Sequence, residues 1–316
     1  MKNLIKLALF VIVVCFLSCD KDGPESNNFT INGITKSNYP KVDGSTSAQP
    51  LQSLIACKLL GIAYEWAYDP LYMHHTIYPP IQDNASFSFI LNKVRNTGTH
   101  SSFINLINGD ADIIIVAREA SEYEIEVART NNVNLIQIPI AIDAFIFILN
   151  EENPVNTLST SQIRGIYTGA ITNWSEVGGI NEKIFPFKRN ATSGSQVLME
   201  NLIMNDNDML ELPEMEVSPT MWGPFNLLSH NKNGICYTVY YYKEFMARAE
   251  FVKHISIDGV YPDYNTLKSH EYPYTTNVYA VIRENLDRSS MAYSLYQLLL
   301  TQAGSNVIKE SGYVPY

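Results

Sequence analysis

From residue 50 to residue 302 the apolar positions alternate between helical spacing and short unbroken runs. Leu51 to Leu60 is apolar-rich and reads as a helix, with Pro50 tolerated in its first turn and Gly61 just past its end. Ser101 to Asn108 reads as a second helix, stopped by Gly109, and Asp112 to Val116 as a buried strand of β-branched residues. Ser121 to Thr130 is helical, with glutamates in its early turns. Leu135 to Leu149 is a long apolar, β-rich run interrupted by Pro139 and Asp143, read as two strands or one bent strand. Helices follow at Ser159 to Tyr167, closed by Gly169, and at Thr192 to Met204. Gly234 to Val239 is a strand, Tyr240 to Ala249 a helix, Tyr272 to Ile282 extended, and Ser289 to Gln302 the last helix.

Alternating helices and strands are the pattern of layered α/β domains, and no internal repeat is visible. The two long extended runs predict two crossings between two lobes, with a cleft suited to closure about a hinge. Lobe 1 is expected over 38–141 and 275–316, and lobe 2 over 142–274.

The amino terminus changes the picture. Lys2 and Lys6 precede a nearly unbroken apolar run, Leu7 to Leu17, and then Ser18-Cys19. About eleven apolar residues fall short of the roughly 20 that a spanning helix needs and suit a signal peptide over 1–18. A small residue before a cysteine resembles a lipoprotein signal, with Cys19 as the lipidated first residue, although Phe16 replaces the usual Leu. The polar stretch 19–37 predicts a flexible tether. Its Asp20-Lys21-Asp22 resembles a surface-export tag of some Bacteroidetes lipoproteins.

Charge excludes further classes. Setting aside Lys2 and Lys6 takes the formal net charge from −10 to −12. Such a surface argues against nucleic acid and against electrostatic adhesion to anionic lipid. An anion site on it must work by short, dehydrated hydrogen bonds. Cys57 and Cys236 fall in different lobes and read as two buried thiols. The pair His74-His75 has no cysteine or carboxylate at ligand spacing, so neither a metal nor another cofactor is expected. No nucleophile elbow, P-loop lysine or zinc cluster supports an enzyme.

Three segments set glycine and hydroxyl residues just ahead of a helix: Gly44-Ser45-Thr46-Ser47, Gly98-Thr99 and Ser193-Gly194-Ser195. A helix start exposes unpaired N–H groups and partial positive charge, and glycine lets an anion come close. Singly, each is an ordinary N-cap. The third also has Arg189 four residues earlier, a forked and permanently charged donor for an oxyanion.

From about Lys41 to the carboxyl terminus the chain resembles the high-affinity phosphate-binding proteins of ABC importers, within the type II periplasmic-binding-protein fold. The resemblance rests on Asp43 to Ser47, Gly109 to Ile113, Ile171 to Gly179, Arg189 with Ser193 to Ser195, Asn233 to Tyr237 and Gly312 to Pro315. Ser193-Gly194-Ser195-Gln196, where many members have Ser-Gly-Thr, marks a divergent branch.

The resemblance implies a non-catalytic, monomeric binder of inorganic phosphate or a similar oxyanion, delivering it to an ABC permease and held in the cell envelope by its lipid. It puts Ser45, Thr46, Ser47 and Thr99 on the ligand from lobe 1, and Arg189, Ser193, Gly194 and Ser195 from lobe 2. Trp174 is expected to pack its lobe. The alternative is a surface or sensory binder of another oxyanion or an organic phosphate, uncoupled from import.

Three positions depart from the family. Ala117-Arg118 stand where some members place an Asp or Ser that accepts the phosphate proton, leaving Glu119, Asp43 or Asp143 as substitutes. His100 replaces a usual glycine. Tyr64 to Arg95 is longer than the family's connection, and is expected to be either a loop over the cleft or, by default, a surface elaboration without a role.

Overall fold

The structure is a computed structural model, and it describes residues 28–212 and 216–316. The signal segment, Cys19 and the tag at 20–22 lie outside the described residues. Elements run as β1 (Val42–Gly44), a 3₁₀ turn (Thr46–Ala48), α1 (Gln49–Leu60), β2 (Glu65–Asp69), β3 (His74–Tyr78), α2 (Asn84–Lys93), α3 (Thr99–Asn108), β4 (Ile113–Val116) and α4 (Glu122–Thr130). Next come β5 (Leu135–Asn150), β6 (Thr157–Leu158), α5 (Thr160–Thr168), β7 (Phe185–Pro186), β8 (Lys188–Arg189), α6 (Gly194–Leu198) and a π-helical turn (Met199–Met204). The chain continues with β9 (Val217–Ser218), α7 (Gly223–His230), β10 (Gly234–Val239), a second π turn (Tyr242–Ala247), β11 (Val252–His254), β12 (Ser256–Ile257) and α8 (Tyr264–Lys268). It closes with β13 (Thr275–Arg283), α9 (Met291–Leu299), α10 (Gln302–Glu310) and β14 (Val314–Pro315).

The fold is α/β and two-lobed, and β5 joins its halves. The main sheet runs β1-β4-β13-β5-β10-β7, with β11 and β14 also paired to β5. Along β5, Leu135 to Ala144 pair with β13, while Phe145 to Leu149 pair with β10. The run read as two strands or one bent strand is thus a single strand of 16 residues. Pro139 is accommodated at a register shift in its ladder with β13, where a missing N–H does least harm. From Ile140 to Asn150 every residue is buried, which is why this stretch is almost wholly apolar.

Helix ends follow local chemistry. Gly61, Gly109 and Gly169 close α1, α3 and α5 in the left-handed region, at φ 62°, 80° and 82°. Ser121 and Ser159 build capping boxes with Glu124 and Gln162. Trp174 is buried, and its indole N–H donates to the Asn233 carbonyl at 3.0 Å. Cys57 and Cys236 are free, buried thiols.

Some expectations need correction. Residues 28–37, read as part of a tether, lie on the body: Phe29, Ile31 and Ile34 pack against the core. The helix expected over Ser289 to Gln302 is α9, and it is not the last: α10 follows it, capped by the Thr301 hydroxyl. The segment 64–95 forms the β2–β3 hairpin and α2, and its tip, Leu71 to His74, lines the interlobe cleft. It is therefore not a surface elaboration remote from the site. Among the described residues, no helix is long and apolar enough to cross a membrane.

Candidate anion-binding site

One cleft cavity of about 480 Å³ gathers all eight residues expected on the ligand: Ser45, Thr46, Ser47, Thr99, Arg189, Ser193, Gly194 and Ser195. Three helix starts converge on it, and they differ from six others in a telling way. Asp83, Ser121, Ser159, Asp263, Ser290 and Thr301 cap their helices with side-chain hydrogen bonds. Ser45, Gly98 and Ser193, at the cleft, make no such bond. Their first-turn N–H groups are left for another acceptor. Among the described residues, the hydroxyls of Thr46, Ser47, Ser193 and Ser195 make no hydrogen bond to another protein group either.

Ser45 has a second task. Its hydroxyl takes a hydrogen bond from the Ala117 N–H at 3.0 Å and shares one with Thr99 Oγ1 at 2.7 Å. It thereby ties the end of β1, the end of β4 and the start of α3 together. Asp43 works behind this loop. Its carboxylate accepts from the Thr97 N–H and hydroxyl, both at 2.9 Å, and from Asn105 at 2.8 Å. Fully buried, it fixes the loop that ends at Gly98, whose φ of 93° favours glycine.

From the other lobe comes Arg189, buried to 4 % exposure. Its Nε donates to the Ser218 carbonyl at 3.2 Å, and Nη1 lies 3.1 Å from the Met221 sulfur. Its backbone N–H is held by the Tyr237 hydroxyl at 3.1 Å and Gln196 Oε1 at 3.2 Å. Among the described residues it has no carboxylate partner. Burial pushes its pKa below the ordinary arginine value, a cost that a bound anion would offset.

Gln196 was not foreseen as a site residue. It accepts from the Tyr237 hydroxyl and from Arg189, while its amide donates to Glu200 at 2.8 Å. The divergent Ser-Gly-Ser-Gln form thus carries the group that positions Arg189. His74, Tyr242, Tyr72 and Trp222 also line the cavity and were not foreseen. For Tyr72 and His74 the only sequence signal was the length of the 64–95 segment, for Trp222 its place ahead of Gly-Pro, and for Tyr242 there was none.

None of the substitute acceptors reaches the cavity. Asp43 serves the loop, Glu119 is exposed, and Asp143 is buried in β5 behind the cleft. Arg118 points away into a buried pair with Glu124, at 2.7 and 2.9 Å. His100 does line the cavity, and its Nδ1 sits 3.0 Å from Glu124 Oε1. Among the described residues no Asp or Glu lines the cavity. Burial drives the His74 pKa down to about 4, so its ring is neutral near pH 7 and adds no charge.

A two-lobed α/β body, joined through β5 and through the return of the chain into β13 beside it, and with its uncapped helix starts facing each other across the cleft, is built as a type II periplasmic binding protein. Residues 82–293 match the family model described as a PBP superfamily domain, and the chain belongs to that superfamily. The protein SphX of Synechococcus elongatus is 24 % identical over 230 residues, spanning 69 % of this chain and 67 % of its own. The phosphate-binding protein PstS of Staphylococcus aureus is 22 % identical over 225 residues, with the same shares. A crystal structure from Clostridium perfringens, described as a phosphate ABC transporter substrate-binding protein with bound phosphate, shares the fold. Its TM-score is 0.65 at 21 % identity, covering 88 % of this chain and 100 % of that one. An ABC-type phosphate transport receptor from Vibrio cholerae aligns with a TM-score of 0.59 at 21 % identity, over 86 % and 98 % of the two chains.

Proposed function

We propose that this chain binds inorganic phosphate or a similar small oxyanion in its interlobe cleft and hands it to an ABC permease, as a non-catalytic lipoprotein anchored through Cys19. The observation that carries this reading is the convergence of buried Arg189 with three helix starts that lack side-chain caps and with the uncommitted hydroxyls of Thr46, Ser47, Ser193 and Ser195. Eight groups of this kind, each worth about 1.5–3 kcal/mol to a charged acceptor, exceed the roughly 8 kcal/mol of a micromolar complex before desolvation is subtracted. The name of the Staphylococcus aureus relative, a phosphate-binding protein, supports phosphate as the ligand. Thr46, Ser47 and Thr99 bind from lobe 1, with Ser45 bracing them, and Arg189, Ser193, Gly194 and Ser195 from lobe 2. The lobes comprise 38–141 with 275–316, and 142–274, in keeping with the change of β5 partner after Ala144. With no carboxylate on the cavity wall, a hydroxyl oxygen takes the proton of hydrogen phosphate, a weaker acceptor than an Asp.

The test is calorimetric titration of the mature protein, after exhaustive dialysis against phosphate-free buffer. One-to-one phosphate binding that Arg189→Ala weakens at least tenfold is the expected result. Affinity within twofold of wild type in that variant would overturn the site. Membrane partitioning that survives Cys19→Ala would overturn the anchor.

A further inference from the structure

We infer that the site is shaped for a phosphate monoester with an apolar or aromatic alcohol portion, in preference to inorganic phosphate; this rests on the oxyanion reading above and narrows its ligand class. The first observation is room. At about 480 Å³ the cavity falls among the pockets of roughly 300–1,000 Å³ that hold small organic molecules. A tetrahedral oxyanion at Arg189 and the helix starts fills only a small part of it.

The second observation is what lines the rest. Leu71, Tyr72 and Met73, at the tip of the β2–β3 hairpin, face the cavity from one side, and Pro219, Met221 and Trp222 line it from the loop after β9. These are apolar or aromatic groups at the mouth of a strongly polar site. Leu71, Tyr72 and Met73 are 78 %, 48 % and 43 % exposed, a costly arrangement for a surface with nothing to cover it. Both rings are braced from behind. Tyr72 stacks on His74 at 5.7 Å and 15°, and Trp222 on Phe225 at 5.4 Å and 15°. His74 is in turn held between Gln49 and Tyr242, each 3.3 Å away. Braced, partly exposed aromatic faces beside an anion site fit a flat or apolar group attached to the anion.

The third observation is the missing carboxylate. Hydrogen phosphate brings a proton that this wall can meet only with hydroxyl oxygens, which accept more weakly than a carboxylate. A phosphate monoester, with its second pKa near 6, is a proton-free dianion at pH 8 and presents only acceptors. The same wall that handicaps inorganic phosphate therefore suits the ester.

The experiment compares phenyl phosphate, inorganic phosphate and sulfate by calorimetry at pH 8, on the mature wild-type protein and on Tyr72→Ala and Trp222→Ala. Phenyl phosphate is expected to bind about tenfold more tightly than inorganic phosphate, the margin that burial against two rings supplies. Each substitution should remove most of that margin while inorganic phosphate and sulfate keep their affinities. Phenyl phosphate binding no more tightly than inorganic phosphate, or a margin indifferent to both substitutions, would overturn the ester reading and leave the oxyanion site standing. Heat from none of the three ligands, on folded protein, would overturn both readings together.

Discussion

The Cα of Gly194 sits so close to Thr99 that a β-carbon built on it would lie 2.7 Å from the threonine Oγ1. The first residue of α6 and the first residue of α3 thus meet across the cleft, one from each lobe, beside Arg189. Gly194 has no positive φ, so the helix itself does not demand glycine there; the opposite lobe does.

A methyl group at this position should therefore act as a wedge. In Gly194→Ala, α6 gains a better helix former, and the melting temperature without ligand should hold or rise slightly. Closure onto the ligand should suffer, because the Thr99 loop is pinned by Ser45 and has little freedom to retreat. Affinity is expected to fall at least tenfold, about 1.4 kcal/mol or more. Titration and thermal unfolding of the same preparation separate the two effects.

Arg189 predicts the opposite pairing of stability and binding. A buried cation without a carboxylate partner among the described residues is a standing cost to the empty protein. Arg189→Met keeps the packing near Met221 and removes the charge. Ligand-free unfolding should move to higher temperature, while the ligand-induced rise in melting temperature largely disappears and affinity drops about a hundredfold, some 2.7 kcal/mol. A ligand-free protein less stable than wild type would show instead that Arg189 is held chiefly by its bond to the Ser218 carbonyl.

How much of this was legible beforehand depends on where each signal resides. The helix starts were readable because glycine and hydroxyls ahead of an apolar helix are a local pattern, and all eight candidates do meet in one cavity. The division of labour among them was not. Ser45 is spent on Thr99 and Ala117, partners 54 and 72 residues away, and no local pattern reports such contacts. Asp43 and Asp143 looked alike as spare acceptors; only the fold shows one bracing a loop and the other in the hinge strand. The hairpin at 65–78 was legible as extra length but not as a wall of the cleft, because its position is set by packing on α1 and on the turn at Tyr242–Ala247.

Gly44 illustrates a glycine whose reason changed. Glycine ahead of a helix suggests backbone bared to a ligand, yet a β-carbon here would fall 2.1 Å from the Ile115 carbonyl oxygen and 2.0 Å from the Gln52 amide. Its absence lets β1 and β4 run together with Gln52 bridging behind them. Gln52 has a flexible end, but the Ile115 carbonyl belongs to a buried strand and cannot give way. Gly44→Ala should therefore destabilise the fold by about 2–4 kcal/mol, seen as a lower denaturation midpoint with an unchanged slope. Any loss of affinity should follow from unfolding and vanish at low temperature.

Asp143 gives a pH dependence whose sign can be worked out. It lies where β5 passes from one half of the sheet to the other, and its Oδ1 accepts from the Tyr241 and Ala144 N–H groups at 2.9 and 2.8 Å. Its Oδ2 has no partner among the described residues. Burial raises its pKa to about 7, against the two N–H bonds that pull the other way. A carboxyl that holds its proton more tightly when folded stabilises the fold fully below the unfolded pKa, near 4. That contribution is lost as pH rises through the folded value. Stability should thus decline between about pH 4 and pH 7, by something on the order of 2–4 kcal/mol. Asp143→Asn keeps the acceptor for both N–H groups and removes the titration, so its stability should be flatter across that window and exceed wild type above pH 7. Chemical denaturation at pH 5, 6, 7 and 8 checks it, and parallel slopes for the two proteins would mean that Asp143 is already ionised in the folded state at pH 5.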